Sequence, residues 1–190
     1  MAQTQSNMLP LGTKAPNFKL LDVISGQNVE LEECKGLKGT VIMFICNHCP
    51  FVKHINSQLV RMAKDYKPKG IDFISISSND VVNYPQDAPD KMKENAKNEG
   101  YIFPYLYDAS QQVAKAYQAA CTPDFFVFDN QMKLIYRGQL DDSRPGNNVP
   151  VDGKDIRNTL NALLNKQPIN EIQKPSIGCN IKWKPEIVER

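Results

Sequence analysis

Two cysteines, Cys46 and Cys49, are separated by two residues in Cys46-Asn47-His48-Cys49. This motif follows the apolar run Thr40–Ile45, a predicted buried strand, and precedes a predicted helix. A thiolate is the nucleophile in disulfide exchange, and the free N–H groups of a helix N-terminus stabilise it. Helix placement and a protonated histidine such as His48 lower a cysteine pKa from about 8.5 to roughly 3.5–7.5. The motif therefore predicts a redox-active dithiol–disulfide pair.

A zinc site is the other chemistry that this motif suggests. Structural zinc usually has four ligands, commonly arranged as two pairs. The sequence has one C-x-x-C motif, His54 is the nearby candidate for a third ligand, and no second pair follows. The ligand count therefore favours redox chemistry over zinc, and we predict neither a metal nor another cofactor.

The elements around the motif predict one α/β domain. The helical spacing of Phe51, Ile55, Leu59 and Met62 indicates a helix that ends near Tyr66. A short apolar run without alternation indicates a strand that helices cover on both faces. The other predicted elements are strands at 17–21, 29–31, 71–77, 103–107, 124–129 and 132–137, and helices at 90–98, 109–117 and 155–164.

Composition and charge narrow the class of protein. The chain has 190 residues, 41% of them hydrophobic, which is typical of a soluble globular domain. Its net charge of +2 argues against nucleic acid or an anionic membrane as the main partner. The first residues have no basic start and no apolar stretch, so we predict no signal peptide and a cytoplasmic location. The odd count of five cysteines argues against a secreted disulfide framework.

Three motifs in consistent order carry a resemblance to a known family. They are Ala15-Pro16-Asn17-Phe18, Cys46-Asn47-His48-Cys49-Pro50 and Thr122-Pro123-Asp124-Phe125-Phe126. In turn they resemble the A-P-x-F entry of redoxin domains, the thioredoxin active site, and the strand that opens with a cis-proline facing the active-site sulfurs. Over residues 9–165 the chain thus resembles thioredoxin-fold proteins of the peroxiredoxin-like branch, the alkyl hydroperoxide reductase and thiol-specific antioxidant (AhpC/TSA) proteins.

The resemblance implies a thioredoxin-like fold with a central mixed β-sheet flanked by helices on both faces. An N-terminal strand extension and a C-terminal tail would complete it, with residues 9–165 forming the redoxin domain and 166–190 the tail docked on it. The resemblance also implies a cis bond before Pro123 that leaves the Thr122 backbone free to pair with an extended substrate. An ordinary trans-proline at a strand start is the alternative.

The chain departs from the sequence patterns of both thioredoxins and peroxiredoxins. Thioredoxins carry a buried acid in the strand before the motif, and Thr40 takes that place here. Asp141 or Asp142 is a candidate replacement as proton acceptor, and surface carboxylates are the favoured interpretation of both. Peroxiredoxins carry a threonine three residues before the peroxidatic cysteine. If Cys49 matches that cysteine, Cys46 takes the threonine's place. The absence of the threonine counts against efficient peroxidase action.

Two arginines and a further cysteine are additional candidates. An arginine in peroxiredoxins stabilises the thiolate or a peroxide oxygen, and Arg137 or Arg144, which bracket the loop after the last strand, would take that role. A solvated surface arginine is the alternative for both. Cys121 lies just upstream of Pro123, and we expect it near the site as a third redox thiol or, in the favoured interpretation, as a packing residue.

The tail contains Cys179 and is apolar enough to dock, since it carries Ile177, Ile181 and the chain's single tryptophan, Trp183. Cys179 is either a resolving thiol or a packed one. Tails dock for stability more often than for catalysis. We therefore favour packing, with the tail on the far side of the domain and Trp183 in an apolar groove.

The complete C-x-x-C motif favours a thiol–disulfide oxidoreductase that works through a mixed disulfide. In the thioredoxin pattern the first cysteine, here Cys46, is the exposed attacker and Cys49 resolves the mixed disulfide. A thiol peroxidase and a non-catalytic redox-sensing module are the alternatives. The predicted partners are a protein disulfide or a small peroxide as substrate, and a thiol electron donor such as a thioredoxin-type system.

Overall fold

The computed structural model describes residues 3–185, so residues 186–190 of the predicted tail lie outside the described part of the chain. Its strands are β1 (Gln3–Gln5), β2 (Lys19–Asp22), β3 (Asn28–Glu30), β4 (Gly39–Phe44), β5 (Ile71–Ser77), β6 (Tyr105–Tyr107), β7 (Cys121–Thr122), β8 (Asp124–Asp129), β9 (Leu134–Gly138) and β10 (Ile177–Asn180). Its α-helices are α1 (Leu31–Cys34), α2 (Pro50–Tyr66), α3 (Pro89–Glu99), α4 (Gln112–Ala116) and α5 (Lys154–Leu164). Short 3-10 turns lie at Lys67–Lys69 and Pro85–Asp87.

The main sheet has seven strands in the order β3-β2-β6-β5-β4-β8-β9. Strand β4 runs parallel to β5 and antiparallel to β8, and β5 runs parallel to β6, so the sheet is mixed. All six residues of β4 are buried, as the unbroken apolar run predicts for a strand covered on both faces. The end of this strand leads directly into the cysteine motif.

Apolar side chains form one cluster on each face of the sheet. The first cluster brings α2, α3 and α5 together with both motif cysteines, and the helix residues in it include Val52, Leu59, Met92, Ile156 and Leu160. In the second cluster, residues of α1, α4 and the segment after α4 pack against β4; among its members are Leu31, Ile42, Phe44, Ala114 and Tyr117. Helices therefore cover both faces of the sheet, as the sequence predicts.

Two predicted elements begin later than expected because aspartate side chains hold the preceding turns. The helix predicted at 109–117 starts at Gln112, since Gln111 has a left-handed φ of 63° and the Asp108 carboxylate accepts the Ala114 N–H at 3.0 Å. The strand predicted at 132–137 starts at Leu134. There the Asp129 carboxylate accepts backbone N–H groups of the turn at 2.8 and 2.9 Å.

A second sheet joins the two ends of the described chain. Strand β10 lies between β1 and β7 and is antiparallel to both, with Cys179 opposite Thr122. The tail therefore lies against the strand that leads into Pro123, and the expectation that it packs on the far side is wrong. Trp183 does not fill an apolar groove: it is 41% exposed, with Lys115 Nζ 6.0 Å from its ring centroid. The domain boundary predicted at residue 165 stays a prediction.

Candidate active site

The cysteine motif forms the connection between β4 and α2. Pro50 is the first residue of α2, where its missing N–H costs nothing, and Cys49 is the N-cap. Both sulfur-bearing residues are buried, with Cys46 1% and Cys49 0% exposed. The exposed first cysteine that the thioredoxin pattern implies is therefore not present in this structure.

Cys46 is the protonated member of the pair. Its thiol donates a hydrogen bond to Cys49, which together with burial and the nearby Asp87 charge raises its pKa well above the ordinary value. The Cys46 Sγ also lies 3.4 Å from Thr122 Oγ1 and 3.8 Å from His48 Nδ1. Cys46 can therefore act as a proton donor to its partner before it acts as a nucleophile.

Cys49 is the thiolate of the pair. The hydrogen bond from Cys46 is the main cause that lowers its pKa to about 5, against the opposing effect of burial. The Cys179 thiol and the Val52 N–H in the first turn of α2 also favour the charged sulfur. When Cys49 is protonated, its thiol donates to the Thr122 carbonyl at 3.1 Å. The contacts of Cys49 thus suit both protonation states.

A histidine–carboxylate pair flanks Cys46. His48 Nδ1 lies 2.5 Å from Asp87 Oδ2, and the fully buried Asp87 also accepts the backbone N–H of Asn47 and the side-chain amide of Asn79. Asp87 takes the position beside the sulfurs for which the sequence suggested Asp141 or Asp142. Sequence reasoning missed it because nothing in the polar segment before α3 sets this aspartate apart from its neighbours.

The two aspartates considered for that role stabilise a loop. Asp141 accepts the N–H groups of Ser143, Asp152 and Gly153. Asp142 forms ion pairs with Lys154 and Lys174, which hold its pKa below the usual range. Neither carboxylate contacts a motif sulfur among the described residues, because both are occupied in the segment that follows β9.

Three side chains could hold a metal ion. One ligand atom each from Cys46, His48 and Asp87 lies within 4.8 Å of the others. His54, the third ligand considered from the sequence, instead lies 2.8 Å from Ser143 Oγ through its Nε2. A closed structural zinc site needs a fourth ligand, and the described residues bring together three.

Thr122 and Pro123 lie beside the sulfurs, as expected. The Thr122–Pro123 bond is cis, and Thr122 contacts both motif cysteines, Cys46 through its hydroxyl and Cys49 through its carbonyl. The Thr122 backbone is not open to an external peptide in this structure, because β10 already pairs with β7.

The two predicted arginines do not reach the sulfurs. Arg144 donates to the carbonyls of Asp141 and Ser143 and to Gln139 Oε1, all within 2.7 Å. Arg137 donates to Gln173 Oε1 at 2.7 Å. Both guanidinium groups therefore hold the loop after β9 and the tail, and the peroxiredoxin-like role expected for them is not supported by their contacts.

The two remaining candidate cysteines differ sharply in their surroundings. Cys121 is buried, its thiol donates to the Pro123 carbonyl at 3.5 Å, and burial raises its pKa. Its contacts are those of a packing residue, the interpretation that the sequence favoured. Cys179 lies with its Sγ 3.1 Å from Cys49 Sγ. Sequence reasoning named Cys179 but favoured a position away from the site.

Comparisons with known proteins identify the family of this chain. Residues 11–137 match the model of the AhpC/TSA family. The chain is 25% identical over 124 residues to the thiol-disulfide oxidoreductase ResA of Halalkalibacterium halodurans. The match covers 65% of each protein, so this chain spans slightly less than two thirds of the length of ResA. It is 29% identical over 116 residues to a protein of Mycobacterium tuberculosis with the provisional name peroxiredoxin, covering 61% of this chain and 68% of that protein.

Solved structures agree with the fold. An uncharacterized conserved protein from Geobacillus kaustophilus is 60% identical, with a TM-score of 0.96 and 98% of both chains covered. The thioredoxin domain of a thiol-disulfide oxidoreductase from Bacteroides vulgatus is 19% identical, with a TM-score of 0.64, covering 82% of this chain and 99% of that one. The predicted thioredoxin-like fold is thus confirmed. Within residues 3–185, none of the helices is both long and apolar enough to span a bilayer.

Proposed function

We propose that this chain, which belongs to the AhpC/TSA family, is a thiol–disulfide oxidoreductase that uses Cys46 and Cys49 as a dithiol–disulfide pair. The observation that carries the proposal is the position of two buried cysteines at the connection between β4 and α2, with Cys49 as the N-cap of the helix. Cys49 at the N-terminus of α2 has its pKa lowered to about 5, and Cys46 donates the hydrogen bond that contributes most to that shift. Relatives named thiol-disulfide oxidoreductase and peroxiredoxin support the oxidoreductase class.

The reaction proceeds by two successive exchanges. The Cys49 thiolate attacks one sulfur of a substrate disulfide, the substrate S–S bond breaks, and one substrate sulfur leaves as a thiolate. Cys46 then loses its proton and attacks Cys49 Sγ in the mixed disulfide, which releases the second substrate sulfur. The pair has then lost two electrons and the substrate has gained them. Because Cys49 is the thiolate, the order of attack is the reverse of the thioredoxin pattern.

The His48–Asp87 pair assists the second exchange. Cys46 has to give up its proton before it can attack, and His48 Nδ1 lies 3.8 Å from its sulfur. The Asp87 carboxylate holds the imidazole in place through a direct contact with the same nitrogen. Nδ1 has a single site for a proton or a lone pair, so it takes up the proton of Cys46 once its contact with Asp87 is released.

The substrates and partners belong to the same proposal. We expect a protein disulfide as the substrate and a thiol electron donor of the thioredoxin type, supported by the names of the oxidoreductase relatives. A cytoplasmic location is part of the proposal. Its support is the odd count of five cysteines, which does not suit a secreted disulfide framework.

A thiol peroxidase with an antioxidant role is the second candidate. The low pKa of Cys49 favours it, since a thiolate in the first turn of a helix is also the group that peroxide oxidises to sulfenic acid. Against it stand Cys46 at the position of the peroxiredoxin threonine and two arginines that contact other groups. The geometry therefore supports disulfide exchange better.

Paired assays of insulin-disulfide reduction and peroxide consumption test the proposal. We expect the wild type to catalyse insulin reduction with dithiothreitol as donor, and Cys49→Ser to abolish it. Cys121→Ser is the matched control, because it removes a buried thiol of β7 whose hydrogen bond goes to the Pro123 carbonyl, and it should retain activity. Peroxide consumption without insulin reduction would establish the peroxidase instead. If the protein is active in neither assay, a non-catalytic redox-sensing module is the remaining candidate function.

A further inference from the structure

The C-terminal strand brings a third sulfur into the site. Cys179 Sγ lies 3.1 Å from Cys49 Sγ, and Cys179 is 2% exposed. The antiparallel register that places Cys179 opposite Thr122 fixes this contact, because Thr122 itself touches both motif sulfurs. Cys49 therefore has two sulfur neighbours: Cys46, which is the main cause of its lowered pKa, and Cys179, whose Sγ lies within hydrogen-bond distance.

The approach of β10 to β7 is too close for a side chain at the neighbouring position. A Cβ placed on Gly178 would lie 2.0 Å from the Thr122 carbonyl oxygen. The absence of a side chain at Gly178 thus allows β10 to lie close enough for Cys179 to reach Cys49. On the other side of β10, β1 pairs with the same strand, with Gln3 opposite Cys179. The position of Cys179 is therefore held from both sides.

We infer that Cys179 is a third redox thiol of this site, and that Cys49 forms its disulfide with either Cys46 or Cys179. The inference rests on the proposed function, because that function supplies the Cys46–Cys49 disulfide. The Cys179 thiolate attacks Cys49 Sγ, the Cys46–Cys49 bond breaks, and the Cys49–Cys179 bond forms. Cys46 leaves as a thiolate and takes up the proton that Cys179 gave up. No net oxidation occurs, so the exchange needs no further reactant.

The exchange requires little movement of sulfur. The distance between Cys49 Sγ and Cys179 Sγ has to shorten from 3.1 Å to about 2.0 Å. Once the bond forms, β10 is tied covalently to the N-terminus of α2. A peptide that pairs with β7 must take the place of β10. The Cys49–Cys179 disulfide therefore excludes such a peptide. Its formation also returns Cys46 to the thiol form.

A Cys46→Ser variant treated with glutathione disulfide tests this inference. Cys49 attacks the glutathione disulfide and becomes glutathionylated, and Cys179 then displaces glutathione. We expect peptide mapping to show a Cys49–Cys179 crosslink as the main product, and the Cys46→Ser/Cys179→Ser variant to accumulate the glutathione adduct on Cys49. Adding Cys121→Ser to Cys46→Ser should leave the crosslink unchanged, because the Cys121 thiol donates to Pro123 and not to Cys49.

The wild type provides a second measurement that does not depend on the folding of a variant. Both disulfides are two-electron oxidised forms of the same chain, so their ratio must stay constant as the glutathione redox ratio is changed. Acid-quenched samples should therefore contain Cys46–Cys49 and Cys49–Cys179 peptides in a fixed proportion. Absence of the Cys49–Cys179 peptide at every redox ratio would overturn the inference.

The outcomes separate this inference from the proposed function. If Cys46→Ser accumulates a glutathione adduct on Cys49 while Cys179 is alkylated, Cys179 is not a redox partner, and the proposed role of Cys49 stands. If Cys49 reacts with glutathione disulfide in none of the variants and not in the wild type, both the proposed function and this inference fail.

Discussion

The ionisation of Cys49 gives the sharpest quantitative test of the site. Its pKa is lowered from 9.0 to about 5, which corresponds to about 5 kcal/mol in favour of the thiolate. Burial raises the pKa of Cys34 and of Cys179 to about 12, and those of Cys46 and Cys121 also lie above 9.0. The reduced protein should therefore carry one thiolate per chain at neutral pH.

Thiolate absorbance in the ultraviolet measures this directly. We expect one step, equivalent to one thiolate, with a midpoint near pH 5. Cys46→Ala removes the largest donor to Cys49, and a hydrogen bond to a charged group contributes about 1.5–3 kcal/mol. The midpoint should therefore rise by about 1–2 pH units. Cys121→Ala, which removes a thiol that is not hydrogen-bonded to Cys49, should leave the midpoint unchanged.

Two results would refute this reasoning. A reduced wild type whose thiolate absorbance stays flat from pH 4 to pH 8 would show that Cys49 does not titrate in that range, contrary to a pKa of about 5. A step of unchanged size in Cys49→Ser would assign the thiolate to another cysteine. Loss of the step in Cys49→Ser, together with its shift in Cys46→Ala, is the result that the geometry predicts.

Three other perturbations have defined outcomes. Burial raises the pKa of Asp124 from 3.8 to about 8, so the folded state keeps a proton that the unfolded chain loses. The free energy of unfolding in urea should therefore fall by up to about 6 kcal/mol as the pH rises from about 4 to about 8, and Asp124→Asn should flatten this dependence. Asp87→Asn removes a negative charge near Cys46 and so stabilises the reduced form of the cysteine pair. The reduction potential should therefore rise by about 30 mV. A lower potential in this variant would contradict the prediction. Protein equilibrated with zinc should bind less than one equivalent by elemental analysis, and a stoichiometric ion on Cys46, His48 and Asp87 would contradict the redox assignment.

Local sequence signals were sufficient to predict the framework of the site. The apolar run Thr40–Ile45 predicts β4, because a strand covered on both faces reads as a near-continuous apolar run. The spacing of apolar residues after Pro50 predicts α2, which ends at Tyr66 as expected. Together these two elements place the cysteine motif at a strand-to-helix connection, and the chemistry of a thiolate at a helix N-terminus follows from that position.

The groups that complete the site depend on long-range contacts that carry no local signal. Asp87 reaches His48 across 39 positions of the chain, and Cys179 reaches Cys49 across 130. Strand β10 has four residues and pairs with β7, which has two, too few for a period-two pattern to be recognised. The arginines were misplaced for the same reason, since the acceptors of Arg137 and Arg144 are set by the path of the loop and the tail.

Redox titration of the wild type, followed by peptide mapping, tests the central claim most directly. Protein equilibrated over a range of glutathione redox ratios is acid-quenched, alkylated and digested, and the Cys46–Cys49 disulfide peptide is quantified by mass spectrometry. The account predicts that this peptide appears in a reversible two-electron step and is removed by dithiothreitol. Recovery of both Cys46 and Cys49 as alkylated thiols at every redox ratio would contradict it.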